Sequence, residues 1–307
     1  MKNIAIFGVS NGVGITRDMN LIRDVLQDDY LIELHNPFRY TANKQYDMCI
    51  FLERFSESTL GLSPVNIFIP NQEWFEPGWL PTLRHFAGIF AKTKFAEEIF
   101  NKLGCSTEFI SFTSYDRQLP EIKKDFSHWL HLAGKSIQKQ TELIWQTWQK
   151  NPGFPQLTIV QDPKFFKNRP LLRNVNYMYD RLPEDVLQTV QNSFGVHLCT
   201  SLTEGFGHYI IEAMSCESMI LTTNAAPMNE FINKNNGLLV DPYRQDKMGL
   251  CLANHIAIET LEKSVIETMV MDDNEKRAKG KNARIFFEEN DRLFKKQLKE
   301  SVAKYLA

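Results

Sequence analysis

Twice along the chain a short apolar run ends near a glycine and turns into a helix, and each time the same alternation follows. NIAIFGV (3–9) leads through SNGVG into a helix from about Thr16 to Leu26, and WLHLAG (129–134) leads into one from Ser136 to about Lys150. After the first come strand candidates at YLIELH (30–35), DMCIFLE (47–53), NIFIP (66–70), GIFAKT (88–93) and TEFISF (107–112), with the helix KFAEEIFNKLG before the last. After the second come LTIVQD (157–162), NVNYMYD (174–180), VHLCTS (196–201), SMILTT (218–223) and GLLVDP (237–242). Helices fall between them at PEDVLQTVQNS (183–193) and HYIIEAMSCE (208–217). Short apolar runs separated by helices predict largely parallel sheets covered on both faces. Two such halves predict an α/β chain of two doubly wound domains with a cleft between them, the usual place for a ligand. The polar stretch SYDRQLPEIKKD (114–125) reads as the connection, and the tail from about Asp246 as three helices.

A length of 307 residues suits two domains of ordinary size. The formal charge of -2 advertises no strongly basic nucleic-acid surface. Cysteines 49, 105, 199, 216 and 251 form no C-x-x-C pair, which argues against a zinc or redox motif and fits a reducing cytoplasm. The start MKNIAIFGVSNG is too short and strand-like for a signal peptide, and no 18-residue apolar run appears. The expected location is cytoplasmic.

Two glycine turns invite an anion. In GVSNGVG (8–14), Gly12 and Gly14 let the backbone approach a ligand at a helix start. The spacing is not the G-x-G-x-x-G dinucleotide fingerprint, and a tight turn with no ligand is the other reading. In AGKSIQK (133–139), Ser136 is placed to cap the helix, with Lys135 and Lys139 near its start. Two cations and free amides suit a diphosphate; two solvated lysines on a helix face explain the pattern as simply.

The stretch TEGFGHYIIEAMS (203–215) places Glu204 in the turn after a strand and Glu212 inside an apolar helix. Carboxyl ends of strands in open α/β sheets are where ligands bind. Gly205 and Gly207 let the turn run close to a ligand, and the amides of Gly207, His208 and Tyr209 open the helix. A carboxylate suits a diol because it accepts two parallel hydrogen bonds. Glu212 then fits a ribose and Glu204 a sugar; a turn-capping Glu204 and a solvated Glu212 form the plainer alternative.

The run TSLTEGFGHYIIEAMSCESMILTTNAAPMNEFI resembles the signature region of retaining, GT-B-fold glycosyltransferases, especially family 4 (group 1), whose mark is Glu-x7-Glu in an EGFG…EAM frame. Glu204 and Glu212 match both glutamates; Gly205, Phe206 and Gly207 match the frame; Pro227, Glu230, NNGLLVDP (235–242) and ARIFFEEN (283–290) look like later segments. The resemblance covers about residues 128–290, and the first half only as architecture. It implies the GT-B fold: two Rossmann-like doubly wound domains facing a central cleft. These are an acceptor domain at 1–122, a donor domain at 123–288, and a helix at 289–307 returning to the N-terminal domain. It also implies a hexosyltransferase that moves sugar from a nucleotide-diphosphate donor, UDP- or GDP-linked, to a hydroxyl, without metal or other cofactor. Glu204 then contacts the donor sugar, Glu212 the ribose, and Lys135 and Lys139 the diphosphate. Gln140 stands where the family usually has glycine, and His208 and Tyr209 where it is usually apolar.

For the acceptor, IPNQEWFEPGW (69–79) offers Asn71, Gln72 and Glu73 as hydrogen-bonding groups and Trp74 or Trp79 as stacking faces; a structural loop with anchored aromatics is the alternative. His35 reads as structural, and PKFFKNRPLLR (163–173) as a solvated basic loop. The short first half suggests a small or exposed acceptor: a sugar, a glycan end or a modified base. The mild negative charge argues against nucleic acid. Two other readings compete: a nicotinamide-dependent oxidoreductase resting on GVSNGVG, and a non-catalytic sugar-nucleotide-binding module.

Overall fold

The computed structural model describes residues 1–10, 12, 14–165, 169–179 and 182–307. The chain forms two compact units: Met1–Ser114 with Lys247–Cys251 and Glu289–Ala307, and Tyr115–Asp246 with Leu252–Glu288.

The first unit is built on β1 (Asn3–Gly8), α1 (Gly14–Leu26), β2 (Leu31–His35), β3 (Met48–Leu52), β4 (Asn66–Ile69), β5 (Gly88–Ala91), α2 (Lys94–Lys102) and β6 (Thr107–Phe109). Its strands form one parallel sheet in the order β2-β1-β3-β4-β5-β6. Ile4, Ala5, Ile6 and Phe7 are all fully buried, so both faces of β1 are covered. That is why these strands read as continuous apolar runs rather than alternating ones.

The second unit starts with β7 (Asp125–Gly134), α3 (Thr141–Lys150), β8 (Gln156–Gln161), β9 (Val175–Met178), α4 (Glu184–Ser193), β10 (Phe194–Cys199), α5 (His208–Ser215), β11 (Met219–Thr223), α6 (Met228–Phe231) and β12 (Gly237–Val240). β13 (Pro242–Met248), β14 (Cys251–Ile256), α7 (Ile258–Val270) and α8 (Asp273–Leu306) complete the chain. The second sheet is also parallel, in the order β12-β11-β10-β7-β8-β9. The chain moves outward from β7 to β9, returns to the centre, and moves outward again from β10 to β12. The reversal falls between β7 and β10, and their carboxyl ends define the switch point.

Three local expectations change. A two-stranded sheet, β13 with β14, extends past Asp246 to Ile256, where helix was expected. In β14, Cys251 and Ala253 are buried while Leu252 is exposed, an alternation of period two. The tail then holds two helices, α7 and the 34-residue α8, rather than three. The helix expected from Ser136 starts at Thr141, after a short 3-10 turn and Gln140 at φ +52°. The side chain of Gln140 explains this left-handed residue. It donates to Thr200 O and Asn254 O (3.3 and 3.2 Å) and accepts from Ile256 N (3.1 Å), offsetting a cost of about 1–2 kcal/mol.

Two histidines are sealed in the second sheet. His131 of β7 lies 2.9 Å from Leu198 O through Nδ1 and 2.9 Å from the Thr141 hydroxyl through Nε2. A carbonyl only accepts, so Nδ1 carries the proton and Nε2 accepts from Thr141. His197 of β10 donates from Nε2 to Gln191 O (3.0 Å). Burial pushes both imidazoles down to about 3. Their folded values lie below the unfolded value near 6.5, so only the unfolded chain takes up these protons as pH falls. Stability is therefore full above about pH 6.5 and declines below it, by up to about 1.4 kcal/mol per pH unit for each histidine. Denaturant titrations between about pH 7 and pH 4.5 check this. His131→Asn, although less stable throughout, is expected to show about half the slope over that range.

Candidate functional site

The turns that follow β7 and β10 meet at the switch point. Leu202 N donates to Gln138 O (2.8 Å), and the Gln140 amide bonds Thr200 O. These turns hold Lys135 and Lys139 on one side and Glu204 to Gly207 on the other. The structure thus brings together the two segments that the sequence singled out in the second half.

Gly207 ends the turn after β10 at φ +101° and ψ 53°, a conformation open to glycine and strained for other residues. A Cβ at this position meets Ile210 Cδ1 at 3.2 Å. Its carbonyl accepts from Ile210 N (2.9 Å), so α5 starts abruptly, and helix geometry aims its first amides out of the helix end. Phe206 is buried edge-on to Phe231 (centroids 5.4 Å apart), which makes it an anchor for the turn.

Glu204 is half-buried, and its Oε1 accepts from Ser201 Oγ (2.5 Å). Ser201 Oγ also lies 2.6 Å from the hydroxyl of Tyr209, a buried side chain. Lys139 Nζ lies 3.9 Å from the centre of the Tyr209 ring and donates to Leu132 O (2.8 Å). Glu212 is only 3% exposed and accepts from Gln191 Nε2 at 2.9 Å. The cation and both carboxylates act on one reporter at the end of β10. Burial raises the Cys199 thiol far above its usual range; Lys139 opposes that rise, and Glu204 and Glu212 add to it. Lys135 differs: its side chain is 56% exposed, with Nζ 4.0 Å from Asp162 Oδ2, a weak surface pair.

Sequence reasoning missed Ser201, Gln191 and the aromatic seat of Lys139. Ser201 precedes Glu204 by three residues, a spacing that could have suggested it. Gln191 lies on another helix and left no signal. Arg169 was also misread as solvated: its side chain is 6% exposed, pairs with Glu142 (2.7 Å) and faces the Trp145 ring at 5.7 Å. Residues 166–168 of that segment lie outside the described residues.

In the first unit, the amide of Gly12 donates to Thr16 Oγ1 (2.9 Å), and Gly14 opens α1; Asn11 and Val13 lie outside the described residues. Asn71 donates to Glu53 Oε2 (2.7 Å) and accepts from Lys92 Nζ (2.5 Å), which also bonds Asp18 (3.0 Å). Gln72 and Glu73 are buried, Trp79 packs on Phe55 and Phe75, and Trp74 is 45% exposed. His35 has a structural setting, between Glu33 and Tyr46 (3.1 and 3.0 Å) and against Phe7 and Tyr40. The Lys44 ammonium and then the Tyr46 hydroxyl hold the Glu33 carboxyl down at about 2. Among the described residues, no group of three or more His, Cys, Asp or Glu could hold a metal ion, and no helix is long and apolar enough to cross a membrane.

Two parallel six-stranded sheets flanked by helices are the GT-B architecture, and known proteins agree. Residues 164–283, which include both glutamates and α5, match the family described as glycosyl transferases group 1. The matched stretch is a glycosyl transferases group 1 domain. Among solved structures, it is similar to Anabaena HepE in complex with UDP-glucose (TM-score 0.75, 15% identity, covering 99% of this chain and 100% of that one). It is also similar to sucrose-phosphate synthase from Thermosynechococcus elongatus (TM-score 0.77, 12% identity, 99% of each chain). A glycosyltransferase from Rickettsia africae is similar as well (TM-score 0.72, 12% identity, covering 99% and 98%). No curated protein sequence matches the chain.

Because Gly207 sets the start of α5, Gly207→Ala is expected to destabilise the fold by about 1–2 kcal/mol. The shift in the urea midpoint, at unchanged slope, measures that loss.

Proposed function

We propose that the protein is a retaining glycosyltransferase that moves a sugar from a nucleotide-diphosphate donor, UDP-linked by preference, to a carbohydrate hydroxyl without a metal. The observation that carries this reading is the pairing of Glu204 and Glu212 around the start of α5, beside Lys139 at the switch point. A carboxylate as buried as Glu212 is costly unless it has partners, and a ribose diol supplies two donors. Glu204 accepts hydroxyls of the donor sugar. The diphosphate rests against the opening amides of α5, with Lys139 and the exposed Lys135 as counter-charges. The UDP preference draws on the UDP-glucose bound by Anabaena HepE.

In the reaction, the bond between the anomeric carbon and the diphosphate oxygen breaks, and the electron pair leaves with the diphosphate. The acceptor oxygen attacks from the same face, and its proton passes to the departing phosphate oxygen. The protein's part is to position the donor and stabilise developing negative charge with cations and helix amides that are already in place. The lysines supply the counter-charge that a divalent ion provides elsewhere. In the first unit, Trp74 offers an exposed face for stacking on an acceptor sugar, with Asn71 and Glu73 as its polar neighbours in the chain. Gly12 and Gly14, at the start of α1, are proposed to let the backbone approach an anionic group.

Thermal shift with UDP-, GDP-, ADP- and TDP-sugars, and with NAD and NADP, tests the donor. A UDP-sugar at about a hundred times its Kd is expected to stabilise the protein by about 2.7 kcal/mol. Glu212→Ala is expected to weaken that donor by roughly 10- to 100-fold. Turnover should survive EDTA, and NMR of the product should show the donor's anomeric configuration. A shift with NAD or NADP alone, or an inverted product, overturns the reading.

A further inference from the structure

The proposed ribose site rests on a buried relay that reaches well beyond it. Arg117, Gln191 and Glu212 are 5%, 0% and 3% exposed. They come from three places in the second unit: the segment before β7, the last turn of α4, and the second turn of α5. Arg117 Nε donates to Gln191 Oε1 at 2.8 Å, and Gln191 Nε2 donates to Glu212 Oε2 at 2.9 Å. We infer that Gln191, backed by Arg117, is a positioning residue that orients the Glu212 carboxylate for the ribose diol.

The chemistry of the relay fixes its direction. A guanidinium only donates and a carboxylate only accepts, so the amide between them has a single satisfactory orientation. Flipping it sets a donor against a donor at one end and an acceptor against an acceptor at the other. Both ends of the amide are therefore committed, and the Gln191 main chain is pinned as well by His197 Nε2 on its carbonyl (3.0 Å). Arg117 is no less fixed. Its amide donates to Ser215 Oγ (3.0 Å), its carbonyl accepts from Asn192 Nδ2 (2.7 Å) and Gln188 Nε2 (3.2 Å), and its guanidinium pairs with Glu184.

The amide spacer matters for binding. An arginine placed directly on Glu212 tends to pair bidentately and engage both carboxylate oxygens. The relay brings the stabilising influence of the arginine to Oε2 through a neutral amide and sets the plane of the carboxylate without such a clamp. A ligand diol then meets an oriented acceptor, and less rotational freedom is lost on binding.

This inference rests on Glu212 being the ribose contact, so the experiment separates the two claims. Calorimetry on the full chain compares UDP with 2′,3′-dideoxy-UDP for the unaltered protein and for Gln191→Met, which keeps the side-chain length but offers no donor. The unaltered protein is expected to prefer UDP by about tenfold or more. Gln191→Met is expected to reduce the preference to about threefold or less, with the affinity for the dideoxy compound within about twofold of its original value. A structural role alone lowers the melting temperature and leaves the preference intact, so a retained tenfold ratio overturns the relay while the ribose assignment stands. Equal affinity for the two nucleotides in the unaltered protein overturns the ribose assignment and the relay with it. Should Gln191→Met fail to fold, Gln191→Asn, one methylene shorter and still polar, is measured against the same two outcomes.

Discussion

The parallel pairing of β7 with β10 is the constraint on which the second unit depends. These strands are far apart in the chain, yet Val196 lies against Trp129 and His197 against Leu130. This junction turns two outward-running halves into one sheet with a reversal at its centre. At a reversal, the turns leaving the two strands diverge onto opposite faces and leave a crevice at the carboxyl edge. Lys139 and Glu204 lie within a few residues of that edge because each follows one of the two strands. His131 reinforces the junction, bonding Leu198 of β10 on one side and Thr141 of α3 on the other. A polar group in that position is tolerated because both ring nitrogens are satisfied and the ring stays neutral.

The same accounting applies to the site. Glu212, Ser201, Thr203 and Tyr209 are buried polar groups at the end of a strand or inside a helix. Ser201 links the Glu204 carboxylate to the Tyr209 hydroxyl, and Tyr209 offers its ring face to Lys139. One short hydroxyl thus ties the acidic and basic sides of the crevice together. Tyrosine at this position keeps an apolar body for packing and adds a polar tip and a cation-binding face.

Much of this was legible in the sequence, for identifiable reasons. Strands buried on both faces produce continuous apolar runs, and α5 was visible because an EGFG turn precedes an apolar helix. What escaped notice lacked such a pattern. The β13–β14 pair carries charges along β13, and its only strand signal is the short alternation in β14. The left-handed Gln140 depends on Thr200, Asn254 and Ile256, none of them a sequence neighbour. Arg117 and Gln191 are separated from Glu212 by 95 and 21 positions, so only the folded chain reveals that one acts on the next. Trp79 and Trp74 lie in one aromatic loop, yet one is partly buried against the core and the other exposed, a difference set by Phe55 and Phe75 packing on Trp79.

The spacing between the glutamates has a geometric reason under the proposed function. Glu204 precedes the helix by a turn that Gly207 bends back, and Glu212 is the fifth residue of α5. At 1.5 Å per residue, Glu212 lies about 6 Å along the axis from His208, the first helical residue. The amides at the helix start address the diphosphate, and a group one turn further along addresses what is attached to it on the nucleoside side. Glu204, in the turn before those amides, would then address what is attached on the sugar side. On that proposal, a helix end flanked by two carboxylates would match a nucleotide sugar along its length. A shorter spacing puts the second carboxylate among the amides, where it competes with the phosphate as their anion. A longer one moves it a further turn away, beyond reach of a ribose joined directly to the diphosphate.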